Sequence, residues 1–213
     1  MADVAAPSLE RILQAREAPA SACLWLVVAG GALHGAALGA TSGEAWLAVF
    51  SAIKVPILLL LSSVVTLPSF YVLHAVLGLR DDFRAACHGL WGAQAALAIM
   101  LGALAPVVAF LALSASDPYF LTLADGALFA AAVMVGQVVL RRHYRPLLAR
   151  DRRHRVTLAC WAVLYVFFAI QLAWVLRPFL GTPGYPVEFL RPTALEQNAY
   201  VVLIEHFARW LRP

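Results

Sequence analysis

Apolar residues in this chain come in blocks, separated by short polar or Gly/Pro-marked breaks. Five blocks stand out, over residues 22–41, 46–67, 88–113, 118–140 and 156–176. A bilayer core about 30 Å thick takes roughly 20 residues of helix at 1.5 Å per residue, and each block is long enough. The pattern predicts an all-α polytopic membrane helical bundle of five transmembrane helices. The second block runs past Pro68 into the apolar stretch 70–79. Proline breaks a helix interior but suits a first turn, so residues 69–79 are expected to form a separate short helix along the inner surface. A single kinked helix is the alternative.

Outside the blocks, two further stretches show helical spacing. Thr193 can cap a helix over 194–211, where Leu195, Ala199, Val202, Leu203, Phe207 and Trp210 recur on one face. A weaker amphipathic helix is expected to begin at Ser8. Between span 5 and the last helix, residues 177–193 are rich in Pro and Gly and predict an ordered, turn-laden segment. The organisation is therefore an N-terminal segment over 1–20, a bundle over 21–176 and a tail over 177–213.

Composition agrees with the blocks. Of 213 residues, 62% are hydrophobic and 13% charged, with a mean hydropathy of +0.80; a soluble domain carries about 25% charged residues. Asp3, Glu10 and Glu17 interrupt the first 20 residues, so the first span is expected to stay in the mature protein rather than leave with a signal peptide.

Charge placement orients the spans. Residues 141–155 hold Arg141, Arg142, Arg145, Arg150, Arg152, Arg153 and Arg155 against one aspartate. Arg80 and Arg84 lie in the connection 80–87, and Arg11 and Arg16 in the N-terminal segment. The connections 42–45 and 114–117 have no Lys or Arg. Positive residues favour the cytoplasmic side, which predicts the N-terminus inside and the tail outside. Trp46, Tyr119 and Trp174 then mark the outer interface, and Trp25 and Tyr144 the inner one. The arginines suit a topology signal first and docking of an acidic partner or anionic lipid headgroups second. With no recognition fold or interleaved aromatics around them, they do not predict nucleic-acid binding.

Within the spans, Gly31, Gly35 and Gly39 recur every fourth residue and leave a groove for close helix approach, from this chain or from another subunit. Gly92 with Ala96 and Gly126 with Ala130 are poorer versions. Polar side chains are few. His34, Lys54, Asp125 and Gln171 come from four spans yet lie ~8–12 Å below the outer boundary at helical rise. Opposite charge and matched depth predict a Lys54–Asp125 pair. Such a shelf serves either as structural glue or as a polar pocket or proton relay. Arg177, just past span 5, could bind a lipid phosphate, which is the basis of a third, enzymatic reading.

Cys23, Cys87 and Cys160 form no Cys-x-x-Cys and are expected to be free thiols on the reducing side, with no metal and no cofactor. HExxH, GxSxG, P-loop and GxGxxG motifs are missing from the sequence.

Two stretches carry a resemblance. One is AIKVPILLLLSSVVTLPSFYVLHAVLGLR, residues 52–80; the other is QLAWVLRPFLGTPGYPVEFLR, residues 171–191, followed by Asn198 and Tyr200. The chain resembles a family of small multi-span bacterial inner-membrane proteins with a KxP span, a PSxY turn and a QxxWxLRPFxGxP signature. The resemblance implies a bacterial inner-membrane location and marks Lys54, Pro56, Pro68, Gln171, Trp174, Arg177, Pro178 and Gly181; it brings no activity. Family members often carry Asn at the positions of His74 and Asp125. Taken together, these features predict a non-catalytic membrane subunit, scaffolding or anchoring an assembly with other subunits or copies of itself. A small transporter or channel using the polar shelf is the alternative.

Overall fold

The structure, a computed structural model, describes residues 19–41, 43–114, 118–180, 188–190 and 198–201. Among the described residues, five helices are long and apolar enough to cross a membrane. They are α1 (Ala20–Ala40), α2 (Ala45–Val76), α3 (Phe83–Ser114), α4 (Pro118–Arg150) and α5 (His154–Leu176). A 3₁₀ turn, Arg80–Asp82, precedes α3. Connections are short, so consecutive helices run antiparallel. The surface helices expected near residues 8–17 and 194–211 lie outside the described residues, except that 199–201 are helical.

Spatial order differs from chain order. Helix α1 packs between α2 and α3, while α4 packs against α3 and α5 against α2. The glycines of α1 make this possible. A Cβ at Gly31 would touch the Pro56 ring at 3.2 Å, one at Gly35 would strike the Ser51 carbonyl, and one at Gly39 the Leu47 carbonyl. On the α3 side, a Cβ at Gly30 would strike the Ala98 carbonyl, and one at Gly102 would sit 3.1 Å from the Gly30 Cα. The Gly31, Gly35 and Gly39 groove is therefore filled by α2 within this chain, and Gly30 receives α3. Gly126 faces open space, and the glycine α4 uses is Gly136, whose Cβ would lie 3.1 Å from the Ala93 carbonyl.

The matched register of Gly39 with Leu47 sets the outer ends of α1 and α2 level. Helix α2 has 32 residues and α1 has 21, so the surplus of α2, about 16 Å at helical rise, projects at the opposite, basic end. Pro68 does not end the helix there, contrary to expectation. An internal proline costs about 3 kcal/mol. Phe70 and His74 beyond it are both fully buried, and burying a Phe side chain alone contributes about 1.5–3 kcal/mol.

A second expectation fails at the same end. Residues 141–150 are not a loop: they continue α4 through Pro146, and only 151–153 connect α4 to α5. Leu140, Tyr144 and Leu147 fall on one face of that extension and are buried, while Arg141, Arg142 and Arg145 face outward. Tyr144 is thus a core residue and not part of an aromatic belt. It packs with Phe70, Leu90, Trp161 and Tyr165 from the other three long helices. Trp25 and Trp46 do keep 67% of their surface exposed. Cys23 is buried, Cys87 and Cys160 are half-buried, and all three are free.

Gly35→Val should lower the thermal unfolding midpoint in detergent, because its side chain must displace α2 backbone and overpacking costs about 1–3 kcal/mol. Gly126→Ala, with open space around it, should leave the midpoint unchanged or raise it slightly by helix propensity. Equal responses from the two variants would contradict the packing.

Candidate functional site

The helix order decides which polar groups can meet. Because α1 and α3 stand between α2 and α4, Lys54 on α2 does not reach Asp125 on α4. The expected Lys54–Asp125 pair is not formed, and the shelf divides into separate centres.

The first centre is His34 with Asp125. His34 Nδ1 lies 3.2 Å from the Leu101 carbonyl of α3. Its Nε2 lies 3.1 Å from Asp125 Oδ1, with side-chain exposures of 1% and 18%. That contact lacks the alignment of a hydrogen bond, so the two side chains meet as a close approach. A carbonyl only accepts, which places a hydrogen on Nδ1. With Nδ1–H fixed, Nε2 and the carboxylate attract only if a proton resides on one of them. His34 also meets Phe129 edge-on, with ring centroids 6.4 Å apart. Asp125 lines a narrow crevice with Leu38, Thr41, Val108 and Leu180 at the end opposite the arginines.

The second centre joins Lys54 to the chain that leaves α5. Lys54 is fully buried. Its Nζ donates to the Pro178 carbonyl at 2.8 Å and lies 5.9 and 5.2 Å from the ring centres of Phe179 and Phe189. Ser51, one turn away, donates to the Phe179 carbonyl at 2.8 Å. A cation facing carbonyl oxygen and aromatic faces keeps much of the stabilisation it loses on leaving water. Arg177 stacks over Trp174, its Cζ 3.5 Å from the ring centre.

Gln171 belongs to a third contact. Its Oε1 accepts the Ala199 N–H at 3.1 Å. Tyr200 stacks flat on Phe167 at 4.7 Å and donates its hydroxyl to the Phe167 carbonyl at 2.7 Å. Both contacts hold the tail against α5. Gly31, Gly35 and Gly39 form the packing surface described above.

The basic end holds a centre that residue depth alone does not reveal. Asp82 accepts from Arg150 at 3.2 Å and faces His154 Nε2 at 3.1 Å. Arg153 bonds Asp151 and donates to the Leu77 carbonyl at 2.8 Å. His74 Nδ1 lies 2.9 Å from the Phe70 carbonyl. Its ring and that of His154 are 5.8 Å apart. His74 Nε2, His154 Nδ1 and the Tyr144 hydroxyl are buried without a hydrogen-bond partner among the described residues. The sequence signal was available only once α2 was allowed to pass Pro68, which brings His74 to the depth of His154. Arg141, Arg145, Arg152 and Arg155 are exposed. The hydrogen bonds from Arg153 hold the Asp151 carboxyl below its usual range. A depressed folded value means this clamp is intact above the ordinary carboxylate range and released as pH falls through the depressed one.

No family model, curated protein or solved structure matches the chain.

Lys54→Met removes a charge-assisted bond of a type that contributes about 1.5–3 kcal/mol. It should free the chain after α5, seen as faster proteolysis near residues 177–180 with helix content retained. Ser51→Ala should show a smaller change in the same direction. Unaltered proteolysis in both variants would mean that these bonds do not hold the segment.

Proposed function

We propose that the protein is a non-catalytic integral membrane subunit that scaffolds or anchors a larger assembly in a bacterial inner membrane, with its arginine-rich end in the cytoplasm. The observation that carries this reading is how the intramembrane polar groups are used. Lys54 and Ser51 fasten Pro178 and Phe179, and Gln171 fastens Ala199. Those groups lock the outer mouth and the tail, and the glycine contacts lock the helices. A rigid block results, with broad apolar faces on α4 (Leu123, Met134, Val138) and α5 (Val163, Val166, Phe167). In a membrane such faces meet lipid or another subunit's helices.

A second reading rests on a different observation. The His34–Asp125 pair holds an ionisable site at the wall of a crevice, which suits a small transporter or channel moving protons, ions or a small solute.

Affinity purification from the native membrane in mild detergent, followed by mass spectrometry, tests the first reading. Stoichiometric heterologous membrane proteins are expected, and a lone chain or homo-oligomer would overturn the scaffold assignment. The second is tested in proteoliposomes, where Asp125→Asn should abolish flux while leaving the unfolding midpoint near wild type. Flux unchanged by the substitution removes that reading.

A further inference from the structure

A groove of about 750 Å³ runs along the outside of the bundle between the basic halves of α2 and α5. Its walls include Pro68, Val72 and Leu73 on α2 and Ala159, Cys160 and Val163 on α5. The walls are almost wholly apolar and the groove opens sideways, with Val72 56% and Val163 70% exposed. Residues 159–164 lie roughly one and a half to three turns inside the end of α5 that carries the arginines, so the groove runs from the interface into the hydrocarbon layer. One turn before this lining, α5 carries a basic residue. Arg155 precedes Ala159 by four residues and Val163 by eight, which places all three on one helical face. Arg155 is exposed and makes no ion pair among the described residues. By contrast, Arg150 and Arg153 are held by Asp82 and Asp151.

An apolar channel at acyl-chain depth, topped by an uncommitted guanidinium at headgroup depth, has the two-part chemistry of an anionic phospholipid. We propose that this groove binds one such lipid, its acyl chain along α2 and α5 and its phosphate on Arg155. A guanidinium takes phosphate through two parallel N–H bonds. A zwitterionic lipid of the same chain length fills the groove equally well but gains less at Arg155. One basic residue at the surface corresponds to about a fivefold preference for anionic lipid. The site is independent of whether the protein serves as a subunit or a transporter.

Cys160 in the groove wall supplies the readout. In detergent-purified full-length protein carrying Cys87→Ala, with Cys23 buried, maleimide labelling reports on Cys160. Phosphatidylglycerol is expected to slow that labelling about fivefold more than phosphatidylcholine of the same chains. Arg155→Gln should erase the difference between the two lipids without changing the unfolding midpoint. Ala159→Trp, which fills the groove, should leave no phosphatidylglycerol retained in native mass spectrometry, where the wild type keeps one. Equal protection by both lipids, no protection by either, or full discrimination surviving Arg155→Gln would each overturn the proposal. Protection by glycerophosphate alone would also overturn it, since the groove would then contribute nothing.

Discussion

Close backbone approach along α1 sets the rest of the arrangement. Between helices in lipid the hydrophobic effect gives little, because acyl chains are as apolar as leucine, and association depends on packing at short range. Glycines on α1 let α2 come into backbone contact on one side and α3 on the other. Once α1 occupies that position, α2 and α4 are held apart, α5 is left to the outer face of α2, and the neighbours available to each polar side chain follow. His34 turns to α3 and α4, where it meets the Leu101 carbonyl and Asp125. Lys54 turns to the chain leaving α5.

At the basic end the constraint changes, because α1 begins level with about residue 67 of α2 and does not reach that far. The other four helices close over the space with large rings. Phe70, Tyr144 and Trp161 fill it, and Asp82 ties α4 and α5 to the 3₁₀ turn through Arg150 and His154. The arginines of this end are therefore divided by role. Arg150 and Arg153 pair with Asp82 and Asp151 beside the connection between α4 and α5, whereas Arg141, Arg145 and Arg155 make no ion pair among the described residues.

The spans were legible in the sequence because they depend on a one-dimensional count of apolar residues at fixed rise. Blocks 22–41 and 156–176 match α1 and α5 to within two residues at each end. Direction around the helix axis was not legible. Lys54 and Asp125 share a depth, but which helix stands between them depends on packing order, and packing order depends on backbone contacts no pair of charges announces. Pro68 and the arginine run misled for a related reason. Each reads as a boundary by local rules, and each is overridden by residues one or two turns further on: Phe70 and His74 in one case, Tyr144 and Leu147 in the other. The period of Leu140, Tyr144 and Leu147 inside the arginine run was the signal that could have placed α4's extension.

Lys54 and the segment after α5 show how two separated sequence stretches become one joint. A lysine at this depth in a lone helix costs about 2.5–3.5 kcal/mol on insertion. The carbonyls just beyond a helix end have an equal and opposite difficulty, since no following turn donates to them. Placing Lys54 Nζ on the Pro178 carbonyl and Ser51 Oγ on the Phe179 carbonyl removes both difficulties at once. Neither partner is polar enough to signal a site alone: one is a single lysine and the other a bare backbone. Their meeting fixes where the chain goes after α5 and carries Leu180 to the wall of the crevice that holds Asp125. The lysine–proline span and the RPF turn are thus physically one feature, joined through Lys54 Nζ and the Pro178 carbonyl.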